Sequence, residues 1–194
     1  MRINTSQWRQ LLLVMLMAWL LGACAKTKPT LVVTVGGMGY SQLRTLRLMI
    51  IQECPYAKVV NAGGWDGHNA NLKRIAESKP RTNIIFIGHS FGCGAINEAA
   101  EKMQKLDLAV FIDPAWNDFN LSKNIVDHIW YQRSGMGIER QAQIVGSTVT
   151  PRTIKGGHND IPHSPMLIAE VINAIHAIHE KSEAAAKAAE TPPP

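Results

Sequence analysis

The sequence predicts an α/β domain: a mostly parallel sheet with helices on both faces. Three observations carry that expectation. Apolar, β-rich runs alternate with helical patterns of roughly 10 to 16 residues, the rhythm of βαβ units. The runs "LVVTV", "IIFI" and "LAVFI" are apolar at both alternating positions, as strands covered on two sides must be. A chain of 194 residues is long enough for one domain with a substantial core and too short for two ordinary ones.

The elements follow in order. "PTLVVTV" (29–35) is the first strand, stopped by "GGMGYS". "SQLRTLRLMIIQEC" (41–54) has helical periodicity, with Ser41 as the expected N-cap. "AKVVNAGG" is a second strand and "HNANLKRIAESK" a short helix ended by Pro80. "TNIIFIG" is the third strand, and "SFGCGAINEAAEKMQK" its helix. "LDLAVFIDP" is the fourth strand and "NIVDHIWYQR" (124–133) the fifth; "QAQIVGSTVTPRTIKGG" (141–157) holds one or two more, with a turn near Gly146 and Ser147. The last helix, "SPMLIAEVINAIHAIHEK", has Ser164 at the N-cap and Pro165 at the first helical position.

The ends differ from the body. Arg2 and Arg9 precede an unbroken apolar run, Leu11 to Leu21, too short to span a membrane and right for the h-region of a signal peptide. "LGAC" ends it, which resembles a bacterial lipobox with Cys24 as the lipidated residue. The resemblance implies a lipid-anchored envelope protein, with Ala25 after the cysteine pointing to the periplasmic face of the outer membrane. The expected organisation is a signal peptide at 1–23, a linker at 24–30, the domain at 31–181 and a low-complexity, disordered tail at 182–194, a frayed helical extension followed by a proline end. Without Arg2 and Arg9, 18 basic residues face 15 acidic ones. The bases are scattered and lack aromatic interleaving, which argues against a nucleic-acid partner. Cys54 and Cys93 form no zinc spacing, and a helix separates them by roughly 15 to 20 Å. Two free, buried thiols are expected.

The chemistry concentrates in "GHSFG". Gly88-His89-Ser90-Phe91-Gly92 fits G-x-S-x-G between a buried strand and a helix. Such a turn strains the backbone of its serine, and a Cβ at either flanking glycine would collide with nearby backbone. The following helix directs its N-terminus at the site and favours developing negative charge. A serine hydroxyl needs a base, and the base needs an orienting acid. Asp113 ends the next strand, and adjacent parallel strands bring their C-terminal ends to one edge. His158 lies in "IKGGHNDIP", after the last strand region, where two glycines free its loop to turn inward.

With Ser90, Asp113 and His158 in that order, the chain resembles the α/β-hydrolases over roughly residues 31 to 180. Acid placement directly after the strand following the nucleophile is similar to that of pancreatic-type lipases. Asp118 and Asp127 are rivals, but neither closes a clear strand. By position the resemblance makes the backbone amides of Met38 and Phe91 the oxyanion hole. Gly36-Gly37 stands where many lipases have His-Gly.

Among other histidines, His89 is expected in the wall beside the turn, His163 in a loop or cap, His128 in a structural role, and His176 and His179 as partly exposed helix residues. Trp65 and His68, in "GGWDGHN", sit where they could line a substrate cleft or pack the loop that bears them. The expected activity is hydrolysis of small-molecule or lipid esters by a monomeric enzyme that requires no metal or cofactor. Only Pro114 to Asn124 separate two strands, too short for a helical cap, so an open, shallow site is expected. Thioester or amide cleavage by the same residues, or a non-catalytic envelope lipoprotein on this fold, are the alternatives.

Overall fold

The computed structural model describes residues 28–38, 42–64, 69–78, 82–115, 119–134, 142–144, 147–149 and 151–190. Its centre is a six-stranded sheet in which every pairing is parallel. The strands are β1 (Thr30–Val35), β2 (Ala57–Gly63), β3 (Asn83–His89), β4 (Leu108–Ile112), β6 (His128–Arg133) and β9 (Arg152–Ile154). Their spatial order is β2-β1-β3-β4-β6-β9. Strand order reverses at β1/β3, the kind of switch point beside which ligand sites form in open α/β sheets.

Both parities of the central strands are buried, for the reason their composition suggests. Leu31, Val33, Phe86, Ala109 and Trp130 pack on one face with Leu72, Ile96 and Ala99. Val32, Ile85, Ile87, Val110 and Tyr131 pack on the other with Leu46, Ile50, Leu167 and Val171. The first helical layer is α2 (Asn69–Glu77) and α3 (Gly92–Glu101); the second is α1 (Arg44–Glu53) and α4 (Pro165–Glu190). Truncating a buried isoleucine such as Ile87 to alanine would cost about 2–5 kcal/mol.

Three expectations change. Helix α1 starts at Arg44 after Leu43, which makes no side-chain cap bond; Ser41 lies outside the described residues. Leu43 is completely buried, so packing rather than a polar cap sets the helix entry. The described residues of the short crossover from β4 to β6 contain β5 (Phe119–Asn120), with Leu121 in the core. Segment 141–157 carries three strands, because β7 (Ala142–Ile144) and β8 (Ser147–Val149) form a hairpin before β9. With β5 they make a separate three-stranded sheet.

The third change is the C-terminal end. Helix α4 begins at Pro165 as expected, with Ile168 N–H donating to the Ser164 carbonyl at 3.0 Å. It then runs unbroken to Glu190, so the extension expected to fray over residues 182–190 is continuous helix. The alanine-rich stretch from Ala184 to Ala189 has the highest intrinsic helix propensity and needs no packing partner to continue the turn. Cys54 and Cys93 are both free and buried, as expected.

Candidate active site

Ser90 stands between the end of β3 and the start of α3 with φ 56°, a left-handed conformation that L-residues rarely adopt. The surrounding backbone over-determines it. Ser90 N–H donates to the Ile112 carbonyl at 2.9 Å, and the Ser90 carbonyl accepts from Cys93 N–H at 3.1 Å. A Cβ on Gly88 would stand 2.7 Å from the Gly92 carbonyl oxygen, and one on Gly92 only 2.2 Å from that of Val35. Strand β1, strand β3 and helix α3 therefore meet too closely for any side chain at these two positions. The thiol of Cys93 braces the same turn, with Sγ 3.3 Å from the Gly88 carbonyl and 3.5 Å from that of Ile112. Complete burial pushes that thiol's pKa up.

The glycine loop after β1 lies directly on the serine. A Cβ on Gly37 would approach Ser90 Cβ to 2.6 Å and Oγ to 3.0 Å. Met38, the next residue, is solvent-exposed, while Phe91 precedes α3 and is half-buried. Met38 is thus the neighbour in sequence of the glycine that presses on Ser90, and Phe91 the neighbour in sequence of Ser90 itself.

Asp113 follows the last residue of β4, 2 % exposed, with φ 43°. Its position before Pro114 makes that conformation doubly unusual, since a following proline favours an extended residue. Asp113 N–H donates to the Tyr131 carbonyl at 2.8 Å, which ties the turn to β6. Its carboxylate takes a short hydrogen bond from His158 Nδ1 at Oδ2. Arg133 Nε sits 2.7 Å from the same oxygen, a charge contact whose N–H is not aimed along the line. The backbone N–H of Arg133 donates to Oδ1 at 3.3 Å. A buried carboxylate is tolerable only when paired in this way.

His158 is presented by a tight loop. Gly157 N–H donates to Asp160 Oδ2 at 2.8 Å, and Asp160 N–H returns a bond to the Gly157 carbonyl at 2.9 Å. Gly156 has φ 140°, open to glycine alone, and a Cβ on Gly157 would meet Asp160 Oδ2 at 2.9 Å. The two glycines, expected to free this loop, instead let it close. With Nδ1 on Asp113, the imidazole has Nε2 left for another partner.

His89 supports the loop from below. It is fully buried, its Nε2 lies 3.0 Å from the His158 carbonyl, and the two rings are 4.5 Å apart. A carbonyl only accepts, so Nε2 carries the proton and Nδ1 is bare. Burial lowers the pKa to about 4, partly opposed by the bond to the His158 carbonyl, and the ring is neutral at pH 7. His89 is thus part of the site's framework.

The other candidates fall elsewhere. Trp65, His68, Asp118 and Cys24 lie outside the described residues, as do 116–118 in the short loop expected to leave the site uncapped. Asp127 precedes β6 at the opposite edge of the sheet, its carboxylate accepting from His128 N–H at 2.8 Å. His163 Nδ1 meets Thr45 Oγ1 at 3.1 Å on the surface. His176 and His179 pack on Tyr56, far from Ser90: Tyr56 Oη is 2.8 Å from His176 Nδ1, and its ring stacks on His179 at 3.8 Å. Arg133 escaped sequence reasoning, although it ends the strand beside that of Asp113. Among the described residues no group of histidine, cysteine and carboxylate side chains is arranged to hold a metal ion. No protein-family model matches the chain, and no curated protein matches it either.

Proposed function

We propose that this chain is a serine hydrolase of carboxylic esters, of α/β-hydrolase type. The observation that carries the proposal is the contact of His158 Nδ1 with buried Asp113, beside a serine in a left-handed turn on the adjacent strand. In this mechanism Ser90 Oγ attacks the ester carbonyl carbon while His158 Nε2 takes the hydroxyl proton. Asp113 holds the imidazole in its Nδ1–H tautomer and stabilises the imidazolium. The carbonyl oxygen becomes an oxyanion held by the amides of Met38 and Phe91, near the N-terminus of α3. The protonated His158 then passes its proton to the departing alkoxide. Water, deprotonated by the same nitrogen, attacks the acyl-enzyme and releases the acid.

Small-molecule and lipid esters are the substrate class. We place the enzyme at the cell envelope, anchored through a lipid on Cys24, on the strength of the "LGAC" sequence after its apolar run. A fluorophosphonate probe tests the catalytic proposal. The folded full chain should label and Ser90→Ala should not; an unlabelled, folded wild type would sink it. A panel of p-nitrophenyl esters, acyl-thioesters and amides then decides the acyl bond, with ester turnover expected to dominate.

A further inference from the structure

At the end of the sheet opposite Ser90 lies an open groove of about 670 Å³, between the strand starts and helix α4. Strand β3 runs from the groove at Asn83 to the serine turn, roughly 20 Å away. Three features define its chemistry. One wall is apolar: Leu108, Val126, Ile178 and alanines of α4 line it, and Val126 is 62 % exposed. Two polar groups within it lack partners. Asn83 is 6 % exposed with Nδ2 unbonded, and the Ser182 hydroxyl is buried without a partner. Its charges are unequal, because Lys28, Lys105 and Lys181 face only Asp107 and Asp127. Asp107 is committed, accepting from Ile84 N–H at 2.9 Å and pairing with Lys105 at 2.6 Å. Lys28 and Lys181 make no ion pair among the described residues.

An unbonded buried amide costs stability, and its retention beside free lysines marks a place for an acceptor. A single net positive charge suits a monoanionic head better than a dianionic one. The apolar wall follows α4 from Ala174 to Ala189, a rise of roughly 22 Å, long enough for an extended acyl chain. We infer that the groove binds a long-chain fatty carboxylate, its head taken by Asn83, Ser182, Lys28 and Lys181 and its chain laid along α4. The site is separate from Ser90 and stands whether or not the chain is an esterase.

The test is titration of palmitate into the full chain and into Ser90→Ala, which shows whether the Ser90 hydroxyl takes any part in binding, and into two groove variants, which separate the groove from the catalytic cleft. Lys28→Glu/Lys181→Glu changes two exposed side chains, and Ala177→Trp fills the groove from an exposed helix position. Melting curves matching wild type establish that both variants fold. Palmitate should bind wild type and Ser90→Ala alike, the charge reversal should weaken it about tenfold or more, and Ala177→Trp should block it. Hexadecanol, which keeps the chain and lacks the charge, should bind about tenfold more weakly than palmitate. Equal palmitate affinity in all four proteins would overturn the inference. So would binding of the lysine face to anionic phospholipid vesicles without binding of monomeric palmitate, which would assign the face to a membrane surface.

Discussion

Ser90 and Asp113 end adjacent parallel strands in the same left-handed conformation, φ 56° and 43°, joined by a hydrogen bond from Ser90 N–H to the residue before Asp113. Each strained turn carries its side chain at the C-terminal edge of the sheet. The strain of such residues is of order 1–3 kcal/mol each, and the surrounding contacts hold it in place.

Removing the hydroxyl should be decisive for chemistry and slight for stability. Ser90→Ala is expected to lower kcat by about 10⁴-fold or more against p-nitrophenyl esters, with a melting temperature close to wild type. Steady-state kinetics beside a thermal melt check both halves.

Asp113→Asn keeps a residue type that tolerates positive φ but removes the charge facing His158 and Arg133. Ester turnover should fall by about 10⁴-fold, because the amide no longer enforces the Nδ1–H tautomer. Activity within tenfold of wild type would show that another group is the acid.

Gly37→Ala would place a methyl 2.6 Å from Ser90 Cβ. The loop must shift to admit it, so turnover should drop while folding costs about 1–3 kcal/mol. Gly92→Ala meets strand backbone at 2.2 Å and should be far more destabilising. Denaturant melts of the two variants give the comparison.

His89 makes stability fall in acid. Its folded pKa is about 4 against an ordinary 6.5, so below pH 6.5 the unfolded chain takes up a proton that the folded chain refuses. The stability present above pH 6.5 is therefore lost progressively down to about pH 4, on the order of 3 kcal/mol in all. In His89→Gln, whose amide can still donate to the His158 carbonyl, that part of the pH dependence should vanish. Urea melts between pH 4 and 7 measure it.

Cys54 and Cys93 are buried and free, and burial raises both pKa values. Neither should react with a thiol reagent in the folded protein, and both should react at once in denaturant. Fast labelling of the native chain would show that one of them is accessible.

The layering of this molecule is legible in residues alone. Strands apolar at both parities need cover on two faces, and the helical patterns between them supply it. The G-x-S-x-G turn, the position of Asp113 at a strand end and the placement of His158 after the last strand follow from local pattern and chain order. Local pattern fails where the partner is distant in sequence. Arg133 reaches Asp113 across twenty residues, His89 holds the carbonyl of His158 across sixty-nine, and Gly37 presses on Ser90 across fifty-three. Helix α4 outruns its apolar stripe on propensity, and Asn97 of α3 holds the Asn120 carbonyl and the Ser122 N–H across more than twenty residues. Short-range periodicity reports which side of an element is buried. Only the folded chain decides which two buried polar groups meet, because that depends on register between strands and on backbone approaches that no single segment contains.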